Sequence, residues 1–130
     1  MLTITKTFEF AYGHHLPDYD GKCASPHGHN GILEVEVKRP AEHIVLDAGS
    51  VVEPQTGMIM DFGYLKGVVK EKVLDQMDHK YLNSDLPEIG RPTAENMTLW
   101  IVKVLGEYFG DALVRVRCYE TSTSYAEWRA

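Results

Sequence analysis

Three segments of the chain alternate apolar and polar side chains with a period of two, which is typical of half-buried β-strands, and a short last segment is also predicted to be a strand. These predicted strands cover residues 2–12, 31–39, 113–120 and 124–129. In the first strand only Lys6 interrupts the apolar face. In the third strand the apolar face is formed by Val114, Val116 and Cys118, and Glu120 continues the same parity. The sequence therefore predicts four strands, each with one face directed at a core.

Two further segments have the 3.6-residue periodicity of amphipathic helices. The first runs from about Gly63 to Met77, with Asp61 as its candidate N-cap. The second begins after Thr93, a second candidate N-cap, and ends at Gly110. Ser, Thr and Asp are favoured at helix starts, and glycine is favoured just past helix ends. The predicted order of elements is β-β-α-α-β-β.

This order predicts an α+β fold in which two helices cover one face of a four-stranded antiparallel sheet. Residues 1–130 are predicted to form one domain. A loop is expected at residues 40–57, although Ile44–Leu46 is apolar enough to extend the second strand. The long sheet edges need cover, so we expect a homo-oligomer joined through sheet edges.

The composition narrows the class of protein. The chain is 44% hydrophobic and 25% charged, with a formal net charge of −6. Because no basic stripe is present, we expect no nucleic-acid partner. No apolar run approaches the roughly 20 residues of a membrane span, and the alternating N-terminal segment does not resemble a signal peptide. These features predict a cytoplasmic protein with free thiols rather than a disulfide.

Histidines are concentrated near the start of the chain. His27 and His29 are two residues apart, so in an extended chain both point to the same face, about 6–7 Å apart at the backbone. His14, at the end of the neighbouring predicted strand, can supply a third imidazole. Three imidazoles are an open zinc site with one position free for a ligand. An isolated H-x-H is more often a pair of surface histidines, but His14 and Cys23 favour the metal site. His15 should point away from it.

The thiol of Cys23 has two possible roles. As a fourth ligand it would close a structural zinc site, whereas as a free thiol beside a metal it would be acidified and act as a base or nucleophile. We favour the catalytic role, since three histidines with one cysteine is an unusual structural set. Cys118 lies in an apolar strand pattern and is expected to be an inert core thiol.

Two carboxylates stand out later in the chain. Asp78 precedes His79, and a carboxylate beside a histidine suits proton transfer, although a helix C-terminus with a nearby histidine would look the same. Glu120 lies on an apolar strand face and therefore needs a partner. A ligand edge with two N–H donors, such as a pterin or guanine, would satisfy it. An internal salt bridge or a frayed strand end is the alternative.

Together these residues resemble a known family. The motifs are Phe8–His14 (FEFAYGH), Cys23–His29 (CASPHGH), Gly57–Phe62 (GMIMDF), Leu74–Asn83 (LDQMDHKYLN), Pro92–Asn96 (PTAEN) and Glu120–Thr121 (ET). In this order they are similar to the 6-pyruvoyltetrahydropterin synthase / 6-carboxytetrahydropterin synthase family. The resemblance covers about residues 5–128. His15 and Tyr119 depart from the arginine and lysine that other members carry at these positions.

The resemblance implies the tunnelling fold, in which three subunits close their sheets into a barrel and two rings stack into a hexamer. It implies that zinc binds to His14, His27 and His29, and that Cys23 is the catalytic base. Asp78 and His79 would relay protons. Glu120 would anchor the pterin ring and take part in the relay, and Thr93 would contact the pterin.

The implied substrate is 7,8-dihydroneopterin triphosphate. The carboxy branch of the family releases acetaldehyde on the way to queuosine, and the pyruvoyl branch stops at a diketone. The short chain favours the carboxy branch, without a deciding residue. The rival hypotheses are a non-catalytic pterin- or purine-binding protein and a zinc hydrolase. The hydrolase leaves Glu120 unexplained.

Overall fold

The predicted strands form one sheet in the computed structural model, which describes residues 1–39, 52 and 56–130. The strands are β1 (Ile4–His14), β2 (His27–Val37), β3 (Lys80–Tyr81), β4 (Leu113–Thr121) and β5 (Ser124–Arg129). Their order across the sheet is β3-β1-β2-β4-β5. The predicted loop at 40–57, with its possible strand at 44–46, lies almost wholly outside the described residues.

The prediction of a four-stranded antiparallel sheet is wrong in one respect. β1, β2, β4 and β5 pair antiparallel, but the two-residue β3 adds a fifth strand parallel to β1. The sheet is therefore mixed. A two-residue strand is too short to show an alternating pattern, so its pairing depends on where the chain returns after the first helix.

The first two strands extend further toward the histidines than the apolar pattern indicates. β1 includes His14, which was expected just past its end, and β2 begins at His27 rather than at Gly31. Backbone pairing continues to the register pairs Tyr12↔His29 and His14↔His27. Polar histidines end the hydrophobic pattern, but they do not end the hydrogen-bonded ladder. All three histidines therefore lie on regular strand backbone.

The predicted apolar face of β4, the third of the predicted strands, is wrong at one residue because of a β-bulge. Glu36 pairs with Arg115 but Val37 pairs with Leu113, so Val114 is passed over in the register. Leu113 takes the core position and is 2% exposed. Val116 and Cys118 lie in the core as predicted. An extra residue on one strand shifts the alternation of side chains, which a strict period of two cannot anticipate.

The first predicted helix is continuous but not uniform. It consists of α1 (Phe62–Val69), a π-helical segment (Lys70–Leu74) and α2 (Asp75–Met77). Asp61 is its N-cap as predicted, since the side chain accepts a hydrogen bond from the Tyr64 amide. A short α3 (Leu82–Asp85) then follows β3. Short 3-10 turns occur at Lys22–Ala24, Pro87–Ile89 and Gly110–Ala112.

The last helix, α4 (Ala94–Phe109), agrees with its prediction at both ends. The Thr93 hydroxyl accepts a hydrogen bond from the Asn96 amide at 3.1 Å. Gly110 follows the helix with a φ of 54°, a left-handed backbone conformation that glycine adopts without a side-chain clash. No helix within the described ranges is long and apolar enough to cross a membrane.

The two main helices cover one face of the sheet, as predicted. Their apolar side chains pack on the inward-facing residues of β1, β2 and β4; the core includes Phe8, Phe10, Leu33, Val35, Leu65, Val69, Val73, Met97, Ile101, Leu105 and Val116. The same inward parity continues from Phe10 and Tyr12 to His14. The three histidines therefore extend the core face at one end of the sheet.

The opposite face of the sheet carries charge. Arg115 donates to Glu36 at 2.6 Å and to Glu34 at 2.9 Å, and Arg117 donates to Glu127 at 2.7 Å. Arg115 is 8% exposed, so these ion pairs neutralise a nearly buried guanidinium. The charged side chains on this face of β2, β4 and β5 thus form an ionic network.

Candidate metal centre

Three histidines and one carboxylate, carried by three different strands, come together at a single point. His14 lies at the end of β1, His27 and His29 at the start of β2, and Glu120 near the end of β4. One potential ligand atom from each of these four side chains lies within 4.8 Å of the others. Such a group could hold a metal ion. The structure thus brings together the three histidines expected from spacing, and it adds Glu120 to them.

The tautomers of two histidines are set by backbone carbonyls. His14 Nδ1 lies 2.7 Å from Pro92 O, and His27 Nδ1 lies 2.7 Å from Ser25 O. Since a carbonyl oxygen only accepts, each Nδ1 must carry the proton. In the neutral rings both Nε2 atoms then have free lone pairs. These two Nε2 atoms lie only 2.9 Å apart, an arrangement that a shared cation stabilises.

The third histidine faces the carboxylate. His29 Nε2 lies 3.0 Å from Glu120 Oε1, and His14 Nε2 lies 4.0 Å from the same oxygen. His29 Nε2 is buried, yet it has no hydrogen bond of good geometry to any described residue. A buried nitrogen without a hydrogen bond is a further sign of a bound ligand at this point.

Burial favours the neutral, metal-binding form of two rings. His14 is 1% exposed. Loss of hydration lowers its pKa below the ordinary histidine value, and the neighbouring His27 and His29 lower it further. Burial likewise lowers the pKa of His29, although Glu120 opposes this effect. Imidazoles bind metals through a deprotonated nitrogen, so both shifts suit a ligand role.

Cys23 lies next to this group rather than in it. It occupies the 3-10 turn Lys22–Ala24, directly before Ser25, whose carbonyl orients His27. Its side chain is half-buried and is a free thiol. Among the described residues, the group of potential ligands does not include its sulfur. The role of Cys23 as a base stays a prediction.

Asp78 and His79 form a direct pair. His79 Nδ1 lies 3.0 Å from Asp78 Oδ2. The other carboxylate oxygen accepts a hydrogen bond from the Ala11 amide at 2.9 Å, and this bond is the main cause that lowers the pKa of Asp78. His79 has a φ of 59°, a left-handed conformation that costs a non-glycine residue about 1–3 kcal/mol. The β1 strand and a strained turn thus hold the pair in place.

An open cavity of about 650 Å³ extends from two of the histidines to His79. Its lining includes His27, His29 and His79, together with Lys80 and Tyr81. Neither Cys23 nor Glu120 nor Thr93 is part of that lining. Of the predicted site residues, His27, His29 and His79 therefore line one opening, and the other five, including His14 and Asp78, are not part of its lining.

Thr93 has a structural contact that its predicted role did not include. Its hydroxyl caps α4. The preceding residue, Pro92, accepts the hydrogen bond from His14. Pro92 and Ser25 were missed from the sequence because they act through carbonyl groups that every residue has. The side chain of His15 lies outside the metal group, as predicted, and contacts the Tyr81 hydroxyl.

Tyr12 was also missed as a neighbour of the site. Its ring packs against both His14 and His29, at centroid distances of 5.2 and 5.5 Å. Gly31 makes room for this ring, because a Cβ there would lie 3.1 Å from Tyr12 Cε1 and 2.9 Å from the Phe10 ring. The Tyr12 hydroxyl is buried and has no hydrogen bond to the described residues.

Comparisons with known proteins identify the family of this chain. The family model described as 6-pyruvoyl tetrahydropterin synthase matches residues 3–130. The chain belongs to this family. The resemblance drawn from the motifs is thereby confirmed, and the family is one of tetrahydropterin synthases.

Two curated relatives carry the names of the two branches. The chain is 36% identical over 111 residues to the 6-pyruvoyl tetrahydrobiopterin synthase of Dictyostelium discoideum, covering 84% of this chain and 74% of the relative. It is 35% identical over 128 residues to the 6-carboxy-5,6,7,8-tetrahydropterin synthase of Synechocystis sp., covering 98% and 93%. A solved Caenorhabditis elegans 6-pyruvoyl tetrahydropterin synthase has the same fold, with a TM-score of 0.82 and 23% identity over 99% of this chain and 95% of that one.

Proposed function

We propose that this protein is a zinc-dependent 6-carboxy-5,6,7,8-tetrahydropterin synthase. It converts 7,8-dihydroneopterin triphosphate and one water molecule to 6-carboxytetrahydropterin, acetaldehyde and triphosphate, as a step toward queuosine and related deazapurines. The observation that carries the proposal is the paired geometry of His14 and His27, whose Nε2 atoms lie 2.9 Å apart while both Nδ1 atoms face carbonyls.

Zinc is held by His14, His27 and His29 in this proposal. Nitrogen ligands of this kind are the usual ligands of zinc, and three protein ligands leave a position for substrate. Bound there, zinc supplies Lewis acidity toward the oxygens of the substrate side chain. The buried, neutral state of His14 and the buried Nε2 of His29 support the assignment.

Cys23 is the base that removes a proton from the substrate side chain. Its half-buried position in the turn before His27, outside the group of metal ligands, supports this role. Asp78 sets the orientation of the His79 ring. His79 lines the opening and exchanges protons with the substrate and solvent there. The 82% exposure of the His79 side chain makes exchange with solvent easy.

Glu120 binds the pterin ring. A carboxylate with its two oxygens accepts the paired N–H donors of such a ring side by side. The Glu120 side chain lies beside His29 and is 28% exposed, so it can contact the pterin ring close to the metal. Thr93 contributes to the pterin contact from the start of α4. The proposed assembly is a homohexamer of single-domain subunits in the cytoplasm, formed from two barrel-shaped trimers.

The share of each relative that is covered favours the carboxy branch. This chain spans 93% of the Synechocystis relative but 74% of the Dictyostelium relative. The pyruvoyl activity is the second candidate, because identity to the Dictyostelium protein is equally high.

One experiment separates these activities. The zinc-loaded protein is incubated with 7,8-dihydroneopterin triphosphate, and the products are identified by mass spectrometry together with an assay for acetaldehyde. Acetaldehyde with a 6-carboxy pterin supports the proposal. A pyruvoyl pterin without acetaldehyde moves the assignment to the sister activity. Failure to consume the substrate favours a non-catalytic pterin- or purine-binding protein.

A further inference from the structure

The segment Asp78–Asn83 runs along the end of β1 and contacts the chain there at three residues, Ala11, Gly13 and His15. Its first contact is at Ala11. The Ala11 amide donates to Asp78 Oδ1 at 2.9 Å, and the His79 amide donates to the Ala11 carbonyl at 2.6 Å. Asp78 thus has a structural bond to β1 in addition to its contact with His79.

The second contact is at Gly13, the residue before His14. β3 pairs with β1 in the register Gly13↔Tyr81. A Cβ at Gly13 would lie 3.1 Å from Tyr81 Cδ2, so the absence of a side chain lets the Tyr81 ring pack against the strand. The backbone on the N-terminal side of His14 is therefore covered by β3.

The third contact is at His15, the residue after His14. The His15 amide donates to Asn83 Oδ1 at 2.9 Å, and Asn83 Nδ2 donates to the His15 carbonyl at 3.0 Å. One side-chain amide thus satisfies both backbone groups of a residue just beyond the end of β1. Asn83 and its contact are partly buried, which shields these bonds from competing water.

We propose that Asn83 is a positioning residue for the metal centre and acts through His15 on His14. His14 is the last residue of β1, so strand pairing fixes the backbone before it but not the backbone after it. The bonds from Asn83 fix the backbone after it, at His15, and thereby keep His14 Nε2 beside His27 Nε2. This inference rests on the proposed role of His14 as a metal ligand.

Three variants test the positioning role. Asn83→Ala removes both bonds to His15. Asn83→Asp keeps the acceptor for the His15 amide but lacks the donor for its carbonyl. Ser84→Ala is the matched control, because Ser84 lies in the same helix α3 and, within the described part of the chain, its hydroxyl bonds only to the Tyr81 carbonyl. Zinc affinity is measured by chelator competition, and cobalt-loaded protein is examined by its d–d absorption spectrum.

We expect zinc affinity to fall about 10-fold in Asn83→Ala, a loss typical when outer partners of metal ligands are removed. Asn83→Asp should be intermediate and Ser84→Ala unchanged. The cobalt spectrum of Asn83→Ala should shift, because displacement of one ligand alters the ligand field, whereas a general loss of stability would not shift it.

Wild-type zinc affinity and an unaltered cobalt spectrum in Asn83→Ala would overturn the inference. So would a fall in affinity that merely follows the folded fraction of the metal-free variant, measured by circular dichroism. If Asn83→Ala does not fold, Asn83→Asp decides by the same two readouts. Failure of the wild-type protein itself to bind zinc would reject the proposed function, and the inference with it.

Discussion

His14 and His27 face each other across β1 and β2, with their Nε2 atoms 2.9 Å apart. Each Nδ1 donates to a backbone carbonyl, from Pro92 and from Ser25. Two lone pairs held this close repel each other unless a cation or a proton lies between them. Burial lowers the pKa of His14, which disfavours the proton. The fold therefore presents a group of side chains that could hold a metal ion.

Replacing His27 by alanine should abolish tight zinc binding, because it removes one of the two facing nitrogens. His27 is less buried than His14, so the fold should tolerate the change. The zinc content of dialysed protein, measured by atomic absorption, checks this. His15→Ala is the control and should keep a full complement of zinc, since its ring contacts Tyr81 instead. Equal zinc in both variants would contradict the assignment.

Cys23→Ala should leave zinc bound and reduce turnover of 7,8-dihydroneopterin triphosphate by about 10²–10⁴-fold, the usual contribution of a general base. Zinc content and the rate of substrate consumption are measured on the same preparation. Loss of zinc would instead make Cys23 a ligand. Turnover that persists would favour a zinc hydrolase.

Glu120→Gln should keep zinc and weaken substrate binding. The substitution preserves size but replaces one acceptor oxygen by a donor, so one charged hydrogen bond to the pterin is lost. Such bonds are worth about 1.5–3 kcal/mol, which corresponds to a rise in KM of roughly 10-fold or more. The KM and the zinc content are compared with those of the wild type. A variant that loses zinc would show that Glu120 is a metal ligand.

Tyr12→Phe should stabilise the metal-free protein by about 1 kcal/mol. The substitution removes a buried hydroxyl that has no hydrogen bond to the described residues, and it retains the ring that packs against His14 and His29. Urea unfolding measures the free energy of unfolding. Tyr19→Phe, at a residue that is 51% exposed, is the neutral control. A loss of stability in Tyr12→Phe would reveal a partner for the hydroxyl.

Asp78→Ala should destabilise the protein at neutral pH, with a difference from the wild type that shrinks in acid. The Ala11 amide lowers the folded-state pKa of Asp78. The stabilisation is thus fully present above the unfolded-state pKa of about 4 and is lost as the pH falls through the lower folded-state pKa. Unfolding by urea at pH 7, 5 and 3 measures the difference. Asp75→Ala, whose partner is the exposed Lys70, should show little effect at neutral pH. A difference that grew in acid would contradict this origin.

Much of the fold could be predicted from short-range patterns. Alternation predicted β1, β2 and β4, a short last strand was expected where β5 lies, and the caps Asp61, Thr93 and Gly110 marked the helix boundaries. These signals are local, because side-chain direction and cap chemistry depend on neighbouring residues. The bulge at Val114 escaped prediction, because it depends on how β4 aligns with β2.

The candidate site divides in the same way. The two-residue spacing of His27 and His29 placed both on one face, and the parity of β1 carried His14 to that face. The partners that orient these rings, Pro92 and Ser25, carry no sequence signal because they use backbone oxygens. Asn83 was part of a recognised motif, but its two hydrogen bonds to the His15 backbone are visible only in three dimensions.

The sequence by itself determined the α+β class, four of the five strands, the two main helices, the family, and the residue types that suit zinc binding. Hydrophobic periodicity and residue chemistry are written in the order of amino acids. Only the tertiary structure decided that His14 and His27 meet at 2.9 Å, that Glu120 joins them, and that β3 holds the end of β1. These are contacts between residues far apart in the chain, and they depend on strand register and packing, which no local pattern specifies.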